Sequence, residues 1–284
     1  MDRLPPLTLR ETDRYLELSL RLFLEEVRLR LDKERCLRCD VCSLVCPKEA
    51  VWLLPGEQEL DIAIDPRRCV LCEVCSHFCP AGAITLTYNE RVKDILFHHR
   101  GLAPFYPKIE LDPEKCPRPC PPAPEGEEHW CRHELRLVPN TLSECPKQCQ
   151  RCLAACPRQA LFPDTLTGHT QAAPDHCLRC RQCLTACEQG AIIVTPQFRG
   201  RVYLEDHKCP ADCRKCISLC PVKVIVREGS RVFLKSETCS LCGVCQAICD
   251  QDAITVIREE VVAEPGEYSH AWEQAVARLL RRGG

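Results

Sequence analysis

The sequence predicts an α+β fold built by repetition, with short strands and short helical turns around loops of cysteine. Three observations carry this. Six segments each hold four closely spaced cysteines, alternating apolar stretches precede them, and β-branched stretches follow them. The quartets are CLRCDVCSLVCP (Cys36, Cys39, Cys42, Cys46), CVLCEVCSHFCP (Cys69, Cys72, Cys75, Cys79) and CPKQCQRCLAACP (Cys145, Cys149, Cys152, Cys156). Then come CLRCRQCLTACE (Cys177, Cys180, Cys183, Cys187), CPADCRKCISLCP (Cys209, Cys213, Cys216, Cys220) and CSLCGVCQAICD (Cys239, Cys242, Cys245, Cys249).

The lead-ins VRLRLD, DIAID, RVYLED and RVFLKS alternate with period two, the pattern of a half-buried strand. The phrases that follow the quartets, AVWLL, GAITLTY, GAIIVTP, VKVIVRE and DAITVI, hold β-branched residues suited to a second short strand. Each unit is therefore strand, cysteine loop with a helical turn, strand. First cysteines lie 33, 32 and 30 residues apart within the pairs 36/69, 145/177 and 209/239, so two units make one domain.

At the N-terminus, residues 11 to 27 place Leu16, Leu20, Phe23, Leu24 and Val27 on one helical face, before Val27, Leu29 and Leu31 switch to period two. At the other end, SHAWEQAVARLLRR places Trp272, Val276, Leu279 and Leu280 on one face, with arginines in the last turn. Both termini are expected to be amphipathic helices that either dock on a partner or pack on their own domains. The expected division is a docking helix and strand over 1–33, a first domain over 34–90, a linker over 91–134, a second domain over 135–196, a third over 197–262 and a C-terminal helix over 263–284.

Composition narrows the class. The 284 residues include 27 cysteines and a single methionine, and aromatics make up only 5%. Small domains with so little aromatic surface need a staple. The first residues carry acids and no continuous apolar run, and no stretch approaches the roughly 20 apolar residues of a membrane span. That points to a reducing, cytoplasmic compartment, where dense cysteine means metal. A formal net charge of -2 argues against nucleic acid as the main partner.

A 4Fe-4S cube needs four soft anionic ligands, and thiolates satisfy that. The run C-x2-C-x2-C wraps three thiolates around one face of such a cube. Zinc ribbons instead separate two C-x2-C knuckles by a longer spacer. A disulfide framework would need an oxidising compartment and leaves an odd cysteine. The chain carries no G-x-G-x-x-G after a strand, no Walker loop and no H-E-x-x-H, so no catalytic centre of its own is expected. His98 and His99 fall in the linker, and His77 is expected to be a variable position between ligands.

These motifs resemble the polyferredoxins, chains of fused bacterial-type two-cluster ferredoxin domains. The pattern C-x2-C-x2-C-x3-C-P followed by a small residue and Ile is matched at CPAGAI (Cys79 to Ile84) and loosened at CPKEAV and CPVKVI. The resemblance covers about 34–90 and 135–260 and extends weakly to the polyferredoxin subunits of formylmethanofuran dehydrogenase and of hydrogenase–heterodisulfide reductase assemblies. It implies three tandem two-cluster domains in which the fourth cysteine serves the other cluster. Cys36, Cys39, Cys42 and Cys79 would hold one cluster, and Cys69, Cys72, Cys75 and Cys46 the next. Cys145, Cys149, Cys152 and Cys187 would share a third, and Cys177, Cys180, Cys183 and Cys156 a fourth. Cys209, Cys213, Cys216 and Cys249 would share a fifth, and Cys239, Cys242, Cys245 and Cys220 a sixth. The implied role is electron transfer between donor and acceptor redox modules, as the wiring subunit of a larger oxidoreductase or as a diffusible carrier or buffer.

Two departures stand out. The third and fifth quartets open with C-x3-C, and Glu188 and Asp250 replace the proline after the fourth and sixth. Outside the quartets, CPRPCPPAPEGEEHWC starts like a repeat and holds Cys116, Cys120 and Cys131. After Cys120 the run PPAP cannot form the helical turn that presents later ligands. Plain thiols, or a seventh cluster or a zinc held with His129 or His133, remain open for it.

Overall fold

The computed structural model describes residues 7–55, 60–92, 95–112, 151–163, 170–188, 190–235 and 237–281. In chain order the first stretch holds β1 (Thr8–Glu11), β2 (Tyr15–Leu22), β3 (Glu25–Asp32), α1 (Val41–Val45), β4 (Val51–Pro55), β5 (Leu60–Ile64), α2 (Val74–Phe78), β6 (Ile84–Tyr88), β7 (Arg91–Val92) and α3 (Ile95–His98). The middle holds β8 (Glu110–Leu111), α4 (Arg151–Ala154), β9 (Leu161–Pro163), β10 (Thr170–Ala172), α5 (Gln182–Ala186) and β11 (Ile192–Ile193). The last stretch holds β12 (Phe198–Leu204), α6 (Lys215–Leu219), β13 (Ile225–Glu228), β14 (Arg231–Leu234), α7 (Val244–Ala247), β15 (Ile254–Val261) and α8 (His270–Arg281). Contacts divide these into two units, one of Met1–Tyr106 with Gln197–Glu237 and Leu241–Gly284, the other of Pro107–Pro196 with Thr238–Ser240.

The N-terminal helix expected over 11–27 is not formed; the segment is a hairpin. β2 and β3 pair antiparallel from Tyr15↔Asp32 to Leu22↔Glu25, and a five-stranded sheet runs β1-β2-β3-β6-β7. The run LELSLRL alternates strictly, so Leu16 and Leu18 share one face with Leu29 and Leu31, and all four are buried. The helical grouping left out Leu18, which the alternation needs. Phe23, at φ 50°, turns the hairpin with Leu24. A C-terminal helix forms, α8, and of its expected face only Leu279 is fully buried, together with Ala275, within its own unit.

Pairing of the remaining strands follows one rule. The strand before one quartet pairs with the strand after its partner quartet: β3 with β6, β5 with β4, β10 with β9, β12 with β15 and β14 with β13. Gly200 sits at the bulge in β12, where φ is +154° and an added Cβ would fall 2.0 Å from the Ile257 carbonyl oxygen. In the middle stretch β11 pairs with β8, the strand before Cys116. The segment expected to be a linker over 91–134 therefore contributes a strand to the second cysteine-rich unit. No helix among the described residues is long and apolar enough to cross a membrane.

Candidate iron–sulfur centres

Each described quartet is presented by the same local device. A residue four before the first cysteine donates its N–H to the carbonyl of the residue four after the last cysteine of another quartet. The pairs are Asp32 to Ala83, Asp65 to Ala50, Ala173 to Ala160, Glu205 to Ala253 and Lys235 to Val224, at 2.7–2.9 Å. The loop then turns through left-handed residues: Arg38 and Asp40 after Cys36, Leu71 and Glu73 after Cys69, Arg179 and Arg181 after Cys177, and Leu241 and Gly243 after Cys239. These sharp turns aim three sulfurs inward while the next residues start a single helical turn. The loop of the fifth quartet differs, because Arg214 after Cys213 has φ -130°.

The last cysteine of a quartet leaves the helix in extended conformation, as Cys46, Cys79, Cys187 and Cys220 do. A second left-handed residue follows three positions on, at Glu49, Gly82, Gln159, Gly190, Lys223 and Asp252. The small residue of CPAGAI is thus Gly82, at a position that favours glycine and that other repeats fill at a conformational cost.

Sulfurs of paired quartets lie near one another. Burial raises the pKa of Cys36 and holds Cys39 and Cys42 well above the ordinary value, and the Cys79 sulfur adds to the rise at all three. Cys69, Cys72 and Cys75 are raised by burial and by Cys46. Cys177 and Cys180 are raised by burial and by Cys156, and Cys183 is pushed up to about 12 by the same causes. Cys216 is pushed up to about 11 by burial and by Cys209, Cys213 and Cys249. Cys145 and Cys149 lie outside the described residues, as do Cys116, Cys120, Cys131, His129 and His133. Cys152 and Cys187 meet in one core with Cys183, Leu161 and Ile192.

These sites fit a cluster. Backbone N–H groups point at sulfur: Arg38 to Cys36 Sγ at 3.4 Å, Ala50 to Cys46 Sγ at 3.2 Å, Ala83 to Cys79 Sγ at 3.2 Å and Ala160 to Cys156 Sγ at 3.2 Å. Such bonds favour the thiolate, whereas burial alone favours the neutral thiol. A cationic core would tip the balance to thiolate, since ligands must deprotonate. Leu29, Val51 and Ile64 wall a small cavity beside Cys46, Cys69, Cys72 and Cys75. A cluster bound here supplies one-electron exchange, and four cysteine ligands leave no open iron for substrate.

Several residues around the sites have roles that the motifs did not signal. His77 makes specific contacts: its Nε2 lies 2.8 Å from the Ala103 carbonyl oxygen, and its ring stacks on Phe105 at 4.8 Å. Glu188 and Asp250, which stand where other quartets have proline, are exposed and ion-paired. Glu188 pairs with Arg151, next to Cys152, and Asp250 pairs with Lys215, next to Cys216. Each pair joins the two quartets of one domain. Arg258 is buried on β15, where its Nε and Nη2 donate to the carbonyls of Leu241 and Cys242 at 2.9 Å. Alternation already held that signal, because Ile254, Val256 and Arg258 share the inward face.

Known proteins are similar to this chain in sequence and in fold. The 4Fe-4S binding domain family matches residues 62–85, around the second quartet. A ferredoxin from Methanothermococcus thermolithotrophicus is 37% identical over 57 residues, which is 95% of that protein and 19% of this chain. The chain belongs to the ferredoxin family. Among ferredoxin relatives, the polyferredoxin-like subunit of an aliphatic sulfonate oxidoreductase from Pyrococcus furiosus is 34% identical over 83 residues. That match covers 29% of this chain and 45% of the relative. This ferredoxin also shares its fold with a chain of the formate dehydrogenase–heterodisulfide reductase–formylmethanofuran dehydrogenase complex from Methanospirillum hungatei. The TM-score is 0.78 at 21% identity, covering 99% of this chain and 93% of the other. Iron–sulfur electron transfer is the function that the family carries.

Proposed function

We propose that the chain wires a cytoplasmic oxidoreductase, carrying electrons through six 4Fe-4S clusters between a donor and an acceptor module, with no catalytic centre of its own. The ligands are the six crossed sets named from the sequence. The observation that carries this reading is the recurring backbone bond, such as Asp32 to Ala83, which ties the start of one quartet to the end of its partner. A subunit role is favoured by the fold shared over 99% of the chain with a component of a multi-enzyme assembly. It is also favoured by the hairpin turn where Phe23 and Leu24 stand fully exposed. Anaerobic purification of the native protein at high salt, with iron counting, tests both parts. Retained redox partners and about 24 irons per chain support the proposal. A monomer without partners would instead indicate a diffusible carrier.

One observation favours a second reading in the middle domain. Asp112 donates to the Ala191 carbonyl, four residues past Cys187, and Asp112 stands four residues before Cys116 rather than before Cys145. By the rule of the other five bonds, Cys116 and Cys120 would replace Cys145 and Cys149 in the cluster closed by Cys187. Iron counts of Cys116→Ser and Cys145→Ser decide between them, because only the true ligand takes about four irons with it. A seventh cluster or a zinc using Cys116, Cys120 and Cys131 would instead raise the metal count of the unaltered protein.

A further inference from the structure

Arg258 is the one buried arginine on the inward face of β15, and it occupies a junction between two cysteine loops far apart in sequence. Its Nε and Nη2 hold the carbonyls of Leu241 and Cys242, and its guanidinium carbon lies 5.2 Å from the centroid of the Phe198 ring. Burial pulls its pKa below the ordinary value, while the sulfurs of Cys39, Cys242 and Cys245 and the carboxyl of Asp40 act in the opposite direction. The Cys39 sulfur in turn feels Cys242. At Gly243, φ is +92°, and an added Cβ would lie 3.3 Å from the Cys39 carbonyl oxygen and 2.8 Å from Arg258 Nη2. The loops of the first and sixth quartets therefore touch, with a guanidinium as their shared neighbour.

We propose that Arg258 is a positioning residue that clamps these two loops together and raises the reduction potentials of the two clusters they hold. Electrons then pass directly between the cluster of Cys36, Cys39, Cys42 and Cys79 and the cluster of Cys242, Cys245 and Cys220 with Cys239. Adding an electron makes each cluster more negative, so a fixed cation in a dry site favours the reduced state of both. An arginine suits the task because it stays charged when buried and its planar fork holds two carbonyls at once. Successive domains in sequence are then not successive in the path: the first and third are wired to each other.

This inference rests on the proposed ligation, and the test separates the two. If the ligation is wrong, the unaltered protein falls short in iron. If only the role of Arg258 is wrong, iron is complete and the potentials do not move.

The test is an anaerobic redox titration of the full chain, followed by electron paramagnetic resonance, on Arg258→Gln and Arg258→Lys. With iron retained, Arg258→Gln should lower two midpoint potentials and leave the others in place. It should also weaken the magnetic coupling between those two reduced clusters. Unchanged potentials, or an equal shift in all of them, would overturn the proposal. If Arg258→Gln sheds iron, Arg258→Lys decides. Restored charge should return the iron content and both potentials to the unaltered values. Iron still lost, or potentials lowered as by a neutral residue, would refute a role for the charge.

Discussion

Trp272 stacks on Phe78 with ring centroids 4.9 Å apart and planes 25° from parallel, which fastens α8 to the helical turn between Cys75 and Cys79. Phe78 is fully buried, and His77 and Phe105 complete the same aromatic group. The C-terminal helix thus stabilises the second quartet of its own unit. Replacing Trp272 with Ala should cost about 3 kcal/mol, the scale of large aromatic deletions. The expected result is a lower thermal midpoint of the iron-loaded protein with iron per chain unchanged when cold. A midpoint equal to the parent's would show that the stacking contributes nothing.

Removing the carboxylates that replace proline should do little. Asp250 and Glu188 are exposed and already paired with Lys215 and Arg151. Such surface pairs are worth little to stability. Asp250→Asn and Glu188→Gln should leave cluster potentials and midpoints near their original values. A large rise in the potential of one cluster in either variant would show that the carboxylate acts on it directly.

Asp32 supplies an acid-sensitive hinge between β3 and the first cysteine loop. Partial burial works to raise its pKa, but Arg14 and the N–H groups of Arg35 and Glu34 hold the carboxyl below its ordinary value of 3.8. The lowered folded value means that its contribution is present above the unfolded pKa and lost as pH falls through the folded one. Denaturant midpoints should drop below about pH 4, and Asp32→Asn should flatten that drop while lowering stability at neutral pH. An unchanged acid limb in the variant would exclude Asp32 as a contributor.

The exposed hairpin turn offers a probe of the subunit role. A Phe23→Ser, Leu24→Ser variant should keep its iron, since neither residue is buried. It should also dissociate more readily from the native complex at high salt. Full co-purification would place the partner contact elsewhere on the chain.

The legibility of the molecule in its sequence varied with how local each signal was. Cysteine spacing, the alternation of lead-ins and the α8 face were readable because each depends on neighbours within a few residues. The hairpin at Tyr15–Asp32 was misread because Leu16, Leu20, Phe23, Leu24 and Val27 satisfy a helical period by coincidence, while Leu18 and the full alternation mark a strand. The role of β8 was hidden because its partner, β11, lies some eighty residues away. The contacts of Arg258 and His77 are not legible in the sequence because they are made by neighbours brought near only by folding. No periodicity in the sequence reveals that Arg258 sits beside Cys39.

The central claim, that each cluster joins two quartets, is tested most directly by iron loss in paired serine variants. Cys36→Ser and Cys79→Ser should each remove about four irons, and the double variant should remove no more than either alone, because both residues hold one cluster. Combining Cys36→Ser with Cys46→Ser should remove about eight, because these two residues of one quartet hold different clusters. The opposite pattern, with about eight irons lost in the first double variant and about four in the second, would show that each quartet holds its own cluster and would contradict crossed ligation.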